Sequence, residues 1–199
     1  MYKFLHFFLI ALVFFSACLQ EPQRRPGDTH YPTPSATPIA QTDAEANAEV
    51  VGVNDGDTIT VRFLDSGEQM KIRLATIDAP EQGQPSGAQA KKSLSDLVFG
   101  KRVRIEEVDR DRYGRIVGEV FAGNLNVNVE QIRRGFAWHY REFERQQSPE
   151  MRSIYAFAED TAKQSRSGLW RIQNPVPPWS WRKERNRGEG DEGDSTSKK

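Results

Sequence analysis

Residues 58–74, TITVRFLDSGEQMKIRL, decide the fold class. Ile59, Val61 and Phe63 alternate with Thr58, Thr60 and Arg62, a period of two that belongs to a half-buried strand. Asp65-Ser66-Gly67 is turn chemistry, and Met70, Ile72 and Leu74 resume the alternation beyond it. Two such runs around a short glycine-containing loop predict a β-hairpin.

Working outward, EVVGV (49–53) reads as a further strand before the turn residues Asn54, Asp55 and Gly56. After Pro80 the period changes. Ser86 and Gln89 have capping-box spacing, and Ala90, Leu94, Leu97 and Val98 follow at helical intervals before Gly100. RVRIEEV (102–108) and RIVGEVF (115–121) return to strand character, and Gly123-Asn124 suits a two-residue hairpin turn. Asn128 is placed to cap a short helix ended by Gly135, and Ser148-Pro149-Glu150 opens a last helix running to Gly168. About five strands with a helix between the third and fourth, and about three helices in all, predict an α+β fold. Its core is a five-stranded Greek-key barrel of the OB type.

Around this domain the chain carries extensions. Lys3 precedes the apolar run FFLIALVFF (7–15), which has the size of a signal-peptide h-region and is short for a membrane span. Ser16 and Ala17 lead into Cys18, the only cysteine, as in a bacterial lipobox. This predicts a signal peptide over 1–17 with Cys18 lipidated, hence a cell-envelope lipoprotein anchored to a membrane. The alternative is a plain secretory signal cleaved near Ala17. Residues 19–48 are rich in Pro, Thr, Gln and Ala and predict a disordered tether. The charged stretch 183–199 predicts a disordered tail, leaving 49–182 as the folded domain. With 28 basic and 28 acidic residues the chain has no net charge, so no global field points to nucleic acid. Oligomeric state has no signature, and a monomer is the default.

The chemistry lies at strand ends. Asp57 begins one strand of the hairpin and Asp78 lies just past the end of the other, so the two carboxylates are neighbours across it. Adjacent carboxylates raise each other's pKa unless a cation sits between them, and oxygen ligands without His or Cys select Ca²⁺ or Mg²⁺ over Zn²⁺. Glu81, beyond the stiffening Pro80, is placed to orient or deprotonate a water. Arg73 and Arg115 could aim forked guanidiniums at a phosphodiester, whose transition state gathers charge on its equatorial oxygens. Each residue alone also fits a turn or a surface ion pair.

In order and spacing, DGDT (55–58), Arg73, DAPE (78–81), YGR (113–115) and VNVEQIRRGFAWHY (127–140) resemble the thermonuclease family typified by staphylococcal nuclease. The resemblance covers roughly 49–172. It implies an OB-fold, calcium-dependent endonuclease that cuts DNA and RNA, single-stranded or locally melted, leaving 3′-phosphate ends. By position, Asp57 and Asp78 would ligate calcium together with the Ala79 main-chain carbonyl, and Asp55 would act through water or hydrogen bonds. Glu81 would be the general base or water-positioner. Arg73 and Arg115 would bind the phosphate, Tyr113 would lie against the nucleotide, and Trp138 and Tyr140 would stack on bases. Phe63, Phe99, Phe121, Phe136, Tyr155 and Phe157 read as core, Trp170, Trp179 and Trp181 as packing for the C-terminal segment, and His139 as a surface or partly packed residue. The competing reading is a catalytically inactive OB-fold module binding nucleic acid, or an envelope interaction lipoprotein. Retention of Asp55, Asp57, Arg73, Asp78, Glu81 and Arg115 favours the enzyme.

Overall fold

A computed structural model describes residues 45–192; the predicted signal peptide, Cys18 and most of the tether lie outside the described residues, as does the end of the tail. The predicted hairpin forms from β2 (Thr58–Phe63) and β3 (Gln69–Leu74), antiparallel, with Thr58 opposite Arg73 and Ile59 opposite Ile72. β1 (Ala48–Val53) adds to the free edge of β2. β5 (Arg102–Arg110) pairs with β1, and β6 (Ile116–Ala122) with β5. β6 then meets β3 in parallel, Ile72 opposite Ile116, and this pairing closes a five-stranded barrel. Closure removes the free edges that an open sheet would expose.

The predicted alternation faces inward. Val50, Ile59, Val61, Ile72, Leu74, Val103, Ile116 and Val120 are buried, and α1 (Gly87–Val98) lays Ala90, Leu94, Leu97 and Val98 against them. α2 (Val127–Arg133) follows β7 (Leu125–Asn126), which turns back on β6 through Gly123-Asn124 as expected. α3 (Pro149–Gln164) opens with the Ser148 side chain accepting from the Met151 N–H and with proline in its first turn. Two short strands, β4 (Ile77–Asp78) and β8 (Trp138–His139), pair beside the barrel, and a fourth helix, α4, spans Pro178–Glu192.

Several local readings differ. Ser86 stands at φ 70° and makes no capping bond, since that backbone turns its hydroxyl away from the first N–H groups of α1. Asn126, not Asn128, caps α2 by accepting from Val129 N–H. Asn128 is instead buried, its amide donating to the carbonyls of Ala75 and Gly118 and its oxygen accepting from Val120 N–H. Phe99 and Phe157 are exposed: Phe99 follows the last turn of α1, and Phe157 lies on the outer face of α3, whose buried positions are Tyr155, Ala158, Glu159 and Ala162. His139 is fully buried, because β8 is covered by α3. α4 continues past Lys183, where composition predicts the folded part to end. Arg, Lys and Glu cannot build a core, but they propagate a helix well once Trp179 and Arg182 have anchored its start. Among the described residues no helix is long and apolar enough to cross a membrane.

Candidate active site

Asp57 holds both ends of the chain between β3 and β4. Its main-chain carbonyl accepts from Leu74 N–H (2.9 Å), and its Oδ2 accepts from Ala79 N–H (2.7 Å). The turn before it is set by Asp55, whose Oδ1 accepts from the Asp57 N–H at 3.1 Å. Gly56 lets this turn lie flat against the barrel: a Cβ there would come within 2.6 Å of the Ala79 methyl and 2.7 Å of the Ala90 methyl. The buried Gln131 of α2 fixes the same turn to α1, donating to the carbonyls of Gly56 and Ala90 (2.9 Å each) and accepting from Ser93 Oγ.

Asp78 is thereby brought to Asp57. Arg73, one residue before the end of β3, bridges the pair, with Nη1 2.9 Å from Asp57 Oδ2 and Nη2 2.9 Å from Asp78 Oδ1. Both acids are buried. Burial pushes the Asp57 carboxyl up to about 7 against the pull of Arg73, with Asp55 and Asp78 adding to the rise. Asp78 is also raised by burial, opposed by Arg182 and Arg73. Arg73 and Arg182 together therefore do not offset the desolvation of the two carboxylates, which is the condition under which a bound cation is stabilised.

Glu81, Pro80 and Ala79 line a cavity of about 320 Å³ together with Asp55, Asp57 and Asp78. The hairpin turn DRYGR forms the facing wall. Gly114 takes φ 77°, and the Asp111 carboxylate accepts from the N–H groups of Tyr113 and Arg115 and from Arg115 Nε (2.6 Å). Slight burial works against these bonds, yet they hold Asp111 below the usual carboxylate range. Arg115 and the exposed Tyr113 both border the cavity. The structure thus assembles Asp55, Asp57, Arg73, Asp78, Ala79, Glu81, Tyr113 and Arg115 in one place.

Trp138 and Tyr140 lie beside that cavity without lining it: Trp138 pairs with Asp78 across β4 and β8, and Tyr140 feels the charges of Asp78 and Arg182. Trp138 is buried edge-on against Trp170 (5.5 Å) and Trp179 (6.3 Å), and Tyr140 is stacked face to face on Trp179 at 5.2 Å. Both line a separate groove of about 510 Å³. The aromatic surface expected for nucleobases is taken up by the C-terminal tryptophans, so Trp138 packs the protein against itself. That same segment supplies the residue missed from sequence. Arg182, on α4, places Nη2 2.8 Å from Asp78 Oδ2 and Nη1 2.6 Å from Glu81 Oε1. Burial lowers its affinity for a proton, but these carboxylates outweigh that and hold it above the ordinary arginine value. The one sequence signal was an arginine directly after PPWSW, a segment with aromatic anchors.

The donor set fits a hard divalent cation: carboxylate and carbonyl oxygens, with no His or Cys lining the cavity. Among the described residues no three such side chains converge into a full cage. The other ligands would come from the Ala79 carbonyl and water, which Ca²⁺ and Mg²⁺ both accept.

Residues 71–172 match the family model described as staphylococcal nuclease homologue. The chain belongs to that family. It is 41% identical over 140 residues to an uncharacterised endonuclease of Escherichia coli, covering 70% of this chain and 86% of that protein. To a micrococcal nuclease of Shigella flexneri it is 39% identical over 149 residues (70% and 82% covered). An uncharacterised endonuclease of Haemophilus influenzae is 38% identical over 135 residues (68% and 72%). The matched segment of this family member runs from β3 to the residues just beyond α3. It therefore includes Arg73, Asp78, Glu81 and Arg115 but neither Asp57 nor Arg182.

Proposed function

We propose that this chain is a calcium-dependent endonuclease that hydrolyses phosphodiester bonds of DNA and RNA. The observation that carries the reading is the buried Asp57–Asp78 pair, bridged by Arg73, opening on a cavity bordered by Glu81 and Arg115. Family membership supports a nuclease-type hydrolase acting on nucleic acid.

Asp57, Asp78 and the Ala79 carbonyl would hold the cation, with Asp55 fixing Asp57 through its backbone N–H. A bound Ca²⁺ would supply a Lewis acid that offsets phosphate charge. Glu81, on a loop stiffened by Pro80, takes a proton from the attacking water. The water oxygen bonds to phosphorus as the bond to the 5′-oxygen breaks. That oxygen takes a proton from solvent water and leaves as a hydroxyl, and a 3′-phosphate remains. Arg73 and Arg115 face the equatorial oxygens, where charge accumulates. Tyr113 borders the same cavity and would lie against the nucleotide. We also propose that the enzyme acts as a monomer, exported and held at the cell envelope by a lipid at Cys18.

The test is cleavage of single-stranded DNA by the full chain in Ca²⁺, in EDTA, and by Glu81→Gln. Cleavage in calcium that is lost in EDTA and falls by about 10² or more in the variant is expected. Equal rates in all three would remove the mechanism, and no cleavage in any would favour the inactive binding module.

A further inference from the structure

Arg182 is not held by chance proximity. α4 begins at Pro178, and Trp179, one turn before Arg182, is clamped between Tyr140 and Trp138. The stretch leading into the helix is tied down by Gln84, whose amide donates to the Val176 carbonyl at 2.6 Å. The oxygen of the same Gln84 side chain accepts from Glu81 N–H at 3.1 Å. One side chain thus connects the loop that carries Glu81 to the segment that delivers Arg182. The guanidinium enters the cavity already bordered by Arg73 and Arg115.

Its contacts fall on ligand oxygens. Asp78 Oδ2 is taken by Arg182 Nη2, and Asp78 Oδ1 is shared between Arg73 and Arg182 Nη1 (3.3 Å). Asp78 Oδ2 keeps a second acceptor site, so a divalent cation can reach it, but there it meets the like charge of Arg182 and weakens that ion pair. Charge decides where the released guanidinium goes. The cavity's charged side chains, Asp55, Asp57, Asp78 and Glu81 against Arg73, Arg112, Arg115 and Arg182, cancel in formal charge, so a divalent cation leaves the site positive. A phosphodiester, with its single negative charge, offsets part of that excess. Arg182 has the fork geometry that a phosphate accepts bidentately, and its side chain is about one-third exposed (35%), which leaves it room to turn.

Resting on the metal assignment above, we propose that Arg182 is a third substrate-binding arginine. It competes with the divalent cation for Asp78 and, once displaced, binds the phosphate of the incoming strand. The C-terminal helix would then set metal affinity and substrate affinity in opposite directions.

The experiment compares the full chain with Arg182→Gln and Arg182→Lys. Calcium affinity is measured calorimetrically without nucleic acid, and KM and kcat on single-stranded DNA at saturating calcium. Arg182→Gln should bind calcium about tenfold tighter and show KM about tenfold higher, each the effect of one charge-assisted contact. Arg182→Lys, which keeps the charge, should recover part of both shifts. Unchanged calcium affinity or unchanged KM in Arg182→Gln overturns the proposal. So does a weakening of both, which marks a purely structural residue, and a matching loss of thermal stability would identify it. Those results leave the nuclease reading intact. Failure of the unaltered chain to bind calcium or cut DNA would sink that reading and this one with it.

Discussion

Replacing Gly56 by alanine tests whether the turn that presents Asp57 is as tightly seated as the structure shows. Gly56 has no left-handed φ, so alanine meets no backbone strain there. By itself the change would stabilise by about 0.4–1 kcal/mol through lost freedom in the unfolded chain. Sterics oppose this. The new methyl would lie 2.6 Å from the Ala79 Cβ and 2.7 Å from the Ala90 Cβ, where ordinary contact starts at 3.4 Å. Neither neighbour can swing aside, because both are methyl groups fixed to backbone, and Gln131 ties Gly56 and Ala90 together. The turn and α1 must therefore separate, and overpacking of this kind costs about 1–3 kcal/mol. The net expectation is a loss of about 1–2 kcal/mol, which lowers Tm by about 2–8 °C for a domain of this size. Calcium affinity should fall in parallel, because Ala79 and Asp57 are the groups pushed apart. Gly56→Ala combined with Ala90→Gly relieves one of the two collisions and should recover part of the loss in a thermal melt followed by near-UV circular dichroism. A single variant melting at or above the unaltered protein would refute the close approach of the turn to α1.

Two further outcomes are expected. Arg115→Lys keeps the charge but loses the fork that faces the cavity, and kcat on single-stranded DNA should drop by about 10² with Tm unchanged; undiminished turnover would make Arg115 a surface residue. His139 lies among Gln147, Glu144, Glu159 and Arg141, and burial, then Arg141, depresses its pKa below the ordinary 6.5. Below pH 6.5 the unfolded chain takes up a proton that the folded protein resists, so this residue's stability contribution, complete above that pH, is lost as pH falls. In urea titrations at pH 7.5, 6.5 and 5.5, His139→Gln should gain on the unaltered protein by up to about 1.4 kcal/mol per pH unit below 6.5, and parallel profiles would contradict the depressed pKa.

The barrel was legible because its strands are short and one-sided. Ile59, Val61, Ile72 and Leu74 could face only a core, and the hairpin register followed from the Asp65-Ser66-Gly67 turn. The acid pair was legible for the same reason, since a hairpin sets the start of one strand beside the end of the next. What escaped was polar and long-range. Asn128 reads as a helix cap by local rules, yet its amide spends its hydrogen bonds on Ala75, Gly118 and Val120. Nothing within a few residues of Asn128 reports those partners. Arg182 escaped for a related reason: it is the last residue of the expected domain, and its position depends on stacking of Trp179 on Tyr140, about forty residues away in sequence. Trp170, Trp179 and Trp181 were legible as packing for the C-terminal segment, but nothing local reports that Trp170 and Trp179 meet Trp138.

Asp57 and Asp78 look equivalent in the sequence, but the structure gives them different duties. Asp57 carries a structural load that Asp78 does not: through its own carbonyl and carboxylate it holds Leu74 and Ala79, and so fixes the loop in which Asp78 sits. Asp78 bonds chiefly to guanidiniums, Arg73 and Arg182, which are exchangeable partners. Removing the Asp57 carboxylate therefore breaks a buried backbone hydrogen bond as well as an ion pair with Arg73, whereas removing that of Asp78 relieves a desolvated charge while freeing two arginines. The pair thus divides into a fixed member that shapes the site and a responsive one whose partner can change. A site built this way holds its geometry through the chain's own backbone and leaves the ion pairs of Asp78 where the cavity opens.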